Sequence, residues 1–411
     1  MNFELFISKR ITKALFNENN VSTRIIKIAI TAIALGITII LISISTGFGL
    51  QSEIKKKLTT LSGDLKISFY DNNNSYISVK PINVSQINKE KWYDSKKIEH
   101  VYTYVNKAVL FKNQEKFDGG ILKGLDSSFP LDNFKSYIID GRFLDINKSE
   151  NLEIIISSQT SKKLSLNVGD YVNSFFYDFS KSKFPKKRSF KIVGVYNTGY
   201  GDFDENFSFT NIEVLQKING WKSNEVGGIE LILKNQFKTS NYKEIVYNSL
   251  PPNIDVQSVE ELHSGIFNWI SMFDFNILVI LIVVIFVALL NITIAIIILV
   301  IEKSKMIGMM KIFGASYRKI QKIFLLVTLN IIVKGLIIGN VVGLILIYFQ
   351  YHSKLIQLDP DNYFVNSVPV EISIPNVLFV NFLIIIFSII AFWIPMLLIS
   401  RMEIVKVLKI K

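Results

Sequence analysis

Four stretches of the chain are apolar almost without interruption: residues 28–50, 275–301, 323–348 and 377–400. Three of them hold no charged residue, and 323–348 holds one, Lys334. As a helix rising about 1.5 Å per residue, each is long enough to cross a hydrocarbon core of roughly 30 Å. The pattern predicts an α-helical integral membrane protein with four transmembrane helices. The first run follows a 1–27 segment and exceeds the roughly 7–15 apolar residues of a secretory signal, so it reads as a retained anchor.

Between the first two runs the pattern changes to short alternating stretches. Residues 64–70, 101–111, 153–158, 171–177, 189–196 and 228–233 mix β-branched and aromatic residues and are separated by Asn, Asp, Gly and Pro, which predicts strands. Residues 158–166, 211–218 and 241–249 carry helical spacing. An α+β extracytoplasmic domain over 51–256 is the expectation. Residues 257–274 then form an amphipathic lead-in, or stalk, to the second span, with Leu262, Ile266, Phe267, Trp269 and Ile270 on its apolar side.

Basic residues set the orientation, because Lys and Arg next to spans accumulate in the cytosol. Lys9, Arg10, Lys13, Arg24 and Lys27 lie in the amphipathic segment 1–27 before the first span. Lys303, Lys305, Lys311, Arg318, Lys319 and Lys322 lie in 302–322, and Arg401, Lys406, Lys409 and Lys411 in the 401–411 tail. The 349–376 loop has Lys354 against Asp359, Asp361 and Glu371. Both termini and 302–322 are therefore expected in the cytosol, and 51–274 and 349–376 outside it.

Candidate chemistry is sparse. The chain has no Cys, which excludes thiol catalysis, disulfides and cysteine metal sites. His100, His263 and His352 stand in separate segments with no partner at ligand spacing, so no metal or catalytic histidine site is expected. The net charge of +12 lies largely beside the spans and lacks a basic-aromatic motif, which favours anionic lipid over nucleic acid. No G-x-x-x-x-G-K-[ST] occurs; Gly119-Gly-Ile-Leu-Lys-Gly124 lacks the Lys-Ser/Thr pair of a phosphate loop. Any ATP-driven step must be powered by another polypeptide.

The basic segment 302–316 is the most specific feature. Glu302, Lys303, Ile307, Gly308, Lys311, Gly314 and Ala315 follow the pattern E-[RK]-x-x-x-I-G-x-x-[KR]-x-x-G-A and resemble the signature of FtsX-like ABC transporter permeases. That resemblance implies a coupling helix that docks on a separate ATPase subunit. The residues agree with it: Met306, Met310 and Phe313 fall at i, i+4 and i+7, an apolar ridge flanked by Lys303 and Lys311. The same composition also fits an interfacial helix lying on lipid.

Further stretches are similar to the LolC/LolE lipoprotein-releasing permeases. These are Phe6-Ile-Ser-Lys-Arg10, Ala34-Leu-Gly36, Ser45-Thr-Gly-Phe48 with Glu53 and Lys57 behind it, and Phe190-Lys-Ile-Val-Gly-Val-Tyr-Asn-Thr-Gly199 continuing to Asp202-Phe-Asp204. Residues 153–170 resemble a stretch shared with MacB-type permeases, which implies a MacB-like periplasmic core domain. Thr46 stands where Asn is usual, and 402–408 lacks the usual Pro.

The resemblance implies a non-catalytic permease subunit in the bacterial inner membrane. It would act with an ABC ATPase subunit (LolD-like) that binds ATP and Mg, a second permease copy or paralogue, acylated lipoprotein as cargo and a periplasmic carrier (LolA-like). This chain is expected to hold no cofactor. An FtsX-like signalling permease controlling cell-wall hydrolases and a MacB-type efflux permease are the alternatives. The first usually has a much smaller external domain, and the second commonly carries its ATPase fused.

Two further groups are candidates. Gly335, Gly339 and Gly343, spaced by four, make a smooth helix strip for an intrachain or dimer seam. Lys334 beside them would be costly in lipid, so it is expected to face the interior of the assembled permease. Phe48, Phe267, Phe273 and Phe275, at the outer ends of the first two spans, are the expected cargo-facing residues.

Overall fold

The computed structural model describes residues 3–17, 21–71, 76–88, 90, 92–146, 152–177, 184–234 and 239–400. The 401–411 tail lies outside them. In chain order the elements are α1 (Phe3–Asn17), α2 (Val21–Ser62), β1 (Leu65–Phe69), β2 (Ile82–Asn83), β3 (Ile98–Asn113), β4 (Lys116–Leu125), α3 (Leu131–Lys135), β5 (Ile138–Gly141), β6 (Glu153–Ser157), α4 (Ser158–Leu164), β7 (Tyr171–Phe176) and β8 (Lys186–Tyr196). There follow α5 (Gly201–Asn206), β9 (Phe207–Asn211), α6 (Ile212–Asn219), β10 (Glu225–Val226), β11 (Gly228–Leu233), α7 (Thr239–Tyr247), β12 (Ile254–Ser258), α8 (Val259–Leu262), α9 (Ser264–Glu302), α10 (Ser304–Ile312), α11 (Tyr317–Ser353), α12 (Pro360–Tyr363) and α13 (Ile374–Ser400). The chain divides into two compact units, one of Met1–Gln51, Trp269–Gln357 and Ser367–Lys411, the other of Ser52–Asn268 and Leu358–Asn366.

The first unit is helical. Among the described residues four helices, α2, α9, α11 and α13, are long and apolar enough to cross a membrane. Their shared core holds Ile33 and Ile37 of α2, Ile296 and Leu299 of α9, Phe324 and Val327 of α11, and Ile384 of α13. α1 adds Ile11 to it. The outward face of α9 leaves Leu278, Ile282, Phe286 and Leu290 about half exposed, a spacing of four that lines one side of the helix with apolar surface suited to lipid or another helix.

Neither α2 nor α9 stops where its apolar run stops. Residues 51–62 keep good helix formers with no Pro or Gly, and α2 continues to Ser62. The lead-in expected over 257–273 is not a separate element. Gln257 and Ser258 end β12, and Ser258 caps the short α8 through a reciprocal pair of hydrogen bonds with Glu261. From Ser264 the helix then runs unbroken, because 266–302 holds neither Gly nor Pro.

The second unit is built on a mixed ten-stranded sheet in the order β12-β1-β11-β3-β4-β9-β6-β8-β5, with β7 pairing both β3 and β8. Those last pairings close a ring, β3-β4-β9-β6-β8-β7, so that each ring strand is paired on both sides, while β12 and β5 stay at the edges of the sheet. The pairs β4–β9 and β6–β8 are parallel, and the others around the ring are antiparallel. Alternation fits this closure: Val172, Ser174 and Phe176 of β7 are buried, whereas Tyr171 is exposed. The glycine stretch 119–124 is part of β4, hairpin partner of β3. Its glycines admit other backbone: a Cβ at Gly120 would meet the Asn206 carbonyl oxygen at 2.8 Å, and one at Gly124 the Ile212 Cα at 2.8 Å.

Candidate functional site

The segment between α9 and α11 is compact and internally braced. Glu302 ends α9, and Lys303 leaves ideal helix geometry while pairing with the Glu302 carboxylate at 3.2 Å. α10 then buries Ile307 and Gly308 against the helical core. It ends in a Schellman arrangement: Gly314 N–H donates to Lys311 C=O at 3.1 Å, and Ala315 N–H to Met310 C=O at 2.9 Å. Gly314 takes φ +81°, which a side chain would strain. Ala315 packs back onto the core.

Met306 and Met310, expected on a ridge with Phe313, pack inward instead. The reason is the turn itself: Ile307 and Gly308 must face the core, and the neighbouring 306 and 310 positions follow them. The exposed apolar set is Met309, Ile312 and Phe313, the last 87% exposed. Lys305, Arg318 and Lys319 are exposed around it, while Lys311 is half-buried. Tyr317, which motif reading passed over, opens α11 and donates its hydroxyl to the Met396 carbonyl of α13 at 2.6 Å. What this arrangement offers is an exposed apolar knob on a capped turn that also exposes cationic side chains.

The glycine strip is an intrachain seam. A Cβ at Gly335 would lie 2.7 Å from Ile33, and one at Gly339 would lie 2.6 Å from the Ala34 carbonyl oxygen. Thr38 Oγ1 donates to the Gly339 carbonyl at 3.1 Å, so α2 and α11 touch backbone to backbone. Lys334, half-buried, lines a cleft on this same pair of helices with Lys27, Ile30 and Thr31. Its height beside residues 27–31 puts it near the start of the first apolar run rather than at its middle.

Three of the aromatic candidates, Phe48, Phe273 and Phe275, share one end of a helix pair in the first unit. Gly36 faces Val284, Gly47 faces Ile277, and Gln51 Nε2 donates to Asp274 Oδ1 at 2.8 Å, so α2 and α9 run antiparallel. Phe48 and Phe275 are exposed there, 39% and 67%, and Phe273 stacks edge-on against Trp269. Phe267 is half-buried in the first turn of α9 and belongs to the second unit.

In the second unit the 190–204 motif has a structural role. The buried Asp204 carboxylate accepts hydrogen bonds from the Thr198 and Gly199 N–H groups and from the Thr198 hydroxyl. Burial raises its pKa, partly offset by those bonds. The turn so held presents the Thr198 carbonyl to Lys57 Nζ, which also donates to the Phe364 carbonyl. Lys57 thereby ties α2, the 198–204 turn and the 358–366 segment together. Among the described residues no group of three or more His, Asp or Glu is placed to hold a metal ion.

Helices long and apolar enough to cross a membrane, with a strand-built domain inserted in the sequence between the first two, define a multi-span membrane protein with a large inserted domain. Residues 28–261 match the family described as MacB-like periplasmic core domain, and residues 278–404 the family described as FtsX-like permease C-terminal. The chain belongs to the MacB-like periplasmic core domain family and carries an FtsX-like permease C-terminal region. It is 24% identical over 364 residues to the lipoprotein-releasing system transmembrane protein LolC of Buchnera aphidicola subsp. Schizaphis graminum, covering 87% of this chain and 86% of that one. It is 22% identical over 406 residues to the lipoprotein-releasing system transmembrane protein LolE of Haemophilus influenzae, covering 92% of each. The solved periplasmic region of MacB from Actinobacillus actinomycetemcomitans aligns at 14% identity and TM-score 0.36, over 50% of this chain and 92% of that one.

Proposed function

We propose that this chain is the membrane subunit of an ATP-driven transporter that lifts acylated lipoproteins out of the bacterial inner membrane. An ABC ATPase (LolD-like) would dock on 302–316 from the cytosol, where both termini would also lie, and would hold the ATP and Mg. A second permease copy or paralogue would complete the membrane part, and a periplasmic carrier (LolA-like) would receive the cargo. Each buried CH₂ of an acyl chain is worth about 0.8 kcal/mol, so extraction needs external energy.

The observation that carries the reading is the Phe313 knob. A side chain 87% exposed, on a turn fixed by Ile307 burial and the Gly314 cap, suits a groove on a partner better than free solvent. The exposed Lys305, Arg318 and Lys319 would keep it at the membrane face. Glu302, Lys303, Met306, Ile307, Gly308, Met310, Lys311, Gly314 and Ala315 would then position the knob, with Met309 and Ile312 joining Phe313 in contact. Lys334 would serve at the membrane boundary. Phe48, Phe267, Phe273 and Phe275 would meet acyl chains at the outer ends of α2 and α9.

The test is depletion of the protein in its own cells with rescue by wild type or Phe313→Asp, followed by membrane fractionation. Lipoproteins retained in the inner membrane, and not released by Phe313→Asp, are expected. Normal sorting with altered cell-wall turnover would move the chain to the signalling alternative, and normal sorting with drug sensitivity to efflux.

A further inference from the structure

One face of the sheet in the second unit carries an unbalanced set of buried charges. Lys66 on β1 stands directly across from Glu230 on β11, and Tyr102 of β3 follows Glu230 on the other side. Lys123 donates to both Glu230 carboxylate oxygens, at 2.8 and 2.7 Å. Lys66, Lys123 and Glu230 are 7%, 3% and 2% exposed, so two cations share one anion away from water. Among the described residues no hydrogen-bond acceptor and no carboxylate ion pair meets Lys66 Nζ; it lies 5.7 Å from the ring centroids of both Tyr76 and Tyr104. A buried charge without a paired counter-charge is expensive unless something neutralises or pairs it.

Lys66 opens onto a pocket of about 200 Å³. Ser68, Ser78, Lys80, Tyr104 and Gln257 also line it, a set rich in donors. Gly227, just before β11, and Gly228, its first residue, make room for two of them. A Cβ at Gly227 would collide with Ser78 Oγ at 2.0 Å, and one at Gly228 with the Tyr104 hydroxyl at 2.4 Å. Ser78 Oγ accepts the Asn106 N–H, which leaves its own proton to donate. Asp71 and Asp255 are on the lining too, but neither forms an ion pair with Lys66, and Asp255 Oδ1 accepts the Val256 N–H.

We propose that this pocket is a binding site for a phosphate-type oxyanion, seated against Lys66 and held by the Ser78 and Tyr104 hydroxyls, with Lys80 at its rim. Lysine binds phosphate as a point charge, and rotatable hydroxyls adapt to a tetrahedral oxyanion; Lys66, Lys80, Ser78 and Tyr104 supply both here. The volume is below the roughly 300–1,000 Å³ of clefts that enclose drug-sized ligands, so the site takes a headgroup-sized moiety or a free ion. Burial lowers the Lys66 pKa, and a bound anion would favour its ammonium form.

The test is equilibrium dialysis of the full-length chain in neutral phosphatidylcholine nanodiscs against radiolabelled inorganic phosphate, at constant ionic strength set with chloride. One saturable equivalent is expected, weakened at least tenfold by Lys66→Met and about threefold by Lys80→Ala, whose side chain is exposed and whose folding is therefore unaffected. No saturable binding overturns the proposal, as does equal binding by wild type and the two variants. If Lys66→Met does not fold, Lys80→Ala decides alone. Repeating the measurement with phosphatidylglycerol in the discs separates the sources: loss of labelled phosphate assigns the site to a lipid headgroup, and retention assigns it to a soluble phosphate.

Discussion

Lys123 and Glu230 form an ion pair at 2.7 Å with both side chains 3% exposed, and Lys123 Nζ also donates to the Leu61 carbonyl in the last turn of α2 at 3.2 Å. A cation is favoured there, where helix carbonyls lack intrahelical donors. Lys66 is the third charge on this face. Glu230→Leu therefore leaves two buried ammonium groups without an anion and is expected to cost about 3–5 kcal/mol. Lys123→Met leaves Glu230 facing Lys66 and costs less. Thermal unfolding of the purified variants measures the order, and the reverse order would contradict the charge balance.

The α2–α11 seam discriminates between its glycines. Gly339→Ala drives a methyl group into the Ala34 carbonyl and Ile37 Cβ, the latter at 2.8 Å, and is expected to destabilise by about 1–3 kcal/mol. Gly343→Ala meets only the end of the Leu41 side chain at 3.1 Å, which can turn aside. Its melting temperature should stay near wild type. Equal melting temperatures for the two variants would mean that the helices are not packed as tightly as described.

Two buried groups in the second unit titrate with opposite signs. Burial raises the Asp64 carboxyl from 3.8 to about 6, so the folded state holds its proton more tightly and stability falls as pH rises from about 4 to 6. His263, beside Ser62 and Tyr200, is lowered by burial from 6.5 to about 4, so stability is lost as pH falls over nearly the same range. Each contributes about 3 kcal/mol at most, and in the wild type the slopes largely cancel. Asp64→Asn, whose amide oxygen still accepts the Leu233 N–H, should be more stable than wild type at pH 8 and lose that advantage below pH 4. His263→Gln should flatten the acid side. Melting curves across pH 4–8 read both; a flat difference between wild type and Asp64→Asn would rule out the buried-carboxylate penalty.

In the turn between α9 and α11 the residues that brace the fold differ from those proposed to dock. Met306→Ala is expected to lower stability by about 1–2 kcal/mol, less than the 2–5 of a fully buried methionine, because its side chain packs on the core. Phe313→Ala should leave the melting temperature unchanged and weaken co-purification of the ATPase at least tenfold. Gly314→Ala, with open space around it but φ +81°, should cost about 1–2 kcal/mol from backbone strain alone. Calorimetry and pull-down together resolve the three; a Phe313→Ala chain that keeps full ATPase affinity would remove the knob from the interface.

Apolar run length and alternation along the sequence carried the helical class and the strand-rich insertion, and the motif at 302–315 carried the family resemblance, because each depends only on neighbours in the chain. Tertiary structure decided which faces those residues turn. Ile307 and Gly308 are pulled to the core, so Met309, Ile312 and Phe313 are the exposed apolar set rather than Met306, Met310 and Phe313. Packing also turned the glycine strip toward α2, set Lys334 beside residues 27–31, and made a strand of the glycine-rich 119–124. The ring of six strands pairs segments distant in the sequence, and the Lys66–Glu230–Lys123 cluster joins residues more than 100 positions apart. No local pattern encodes such pairings: register across a sheet and the balance of buried charge arise only when distant strands meet.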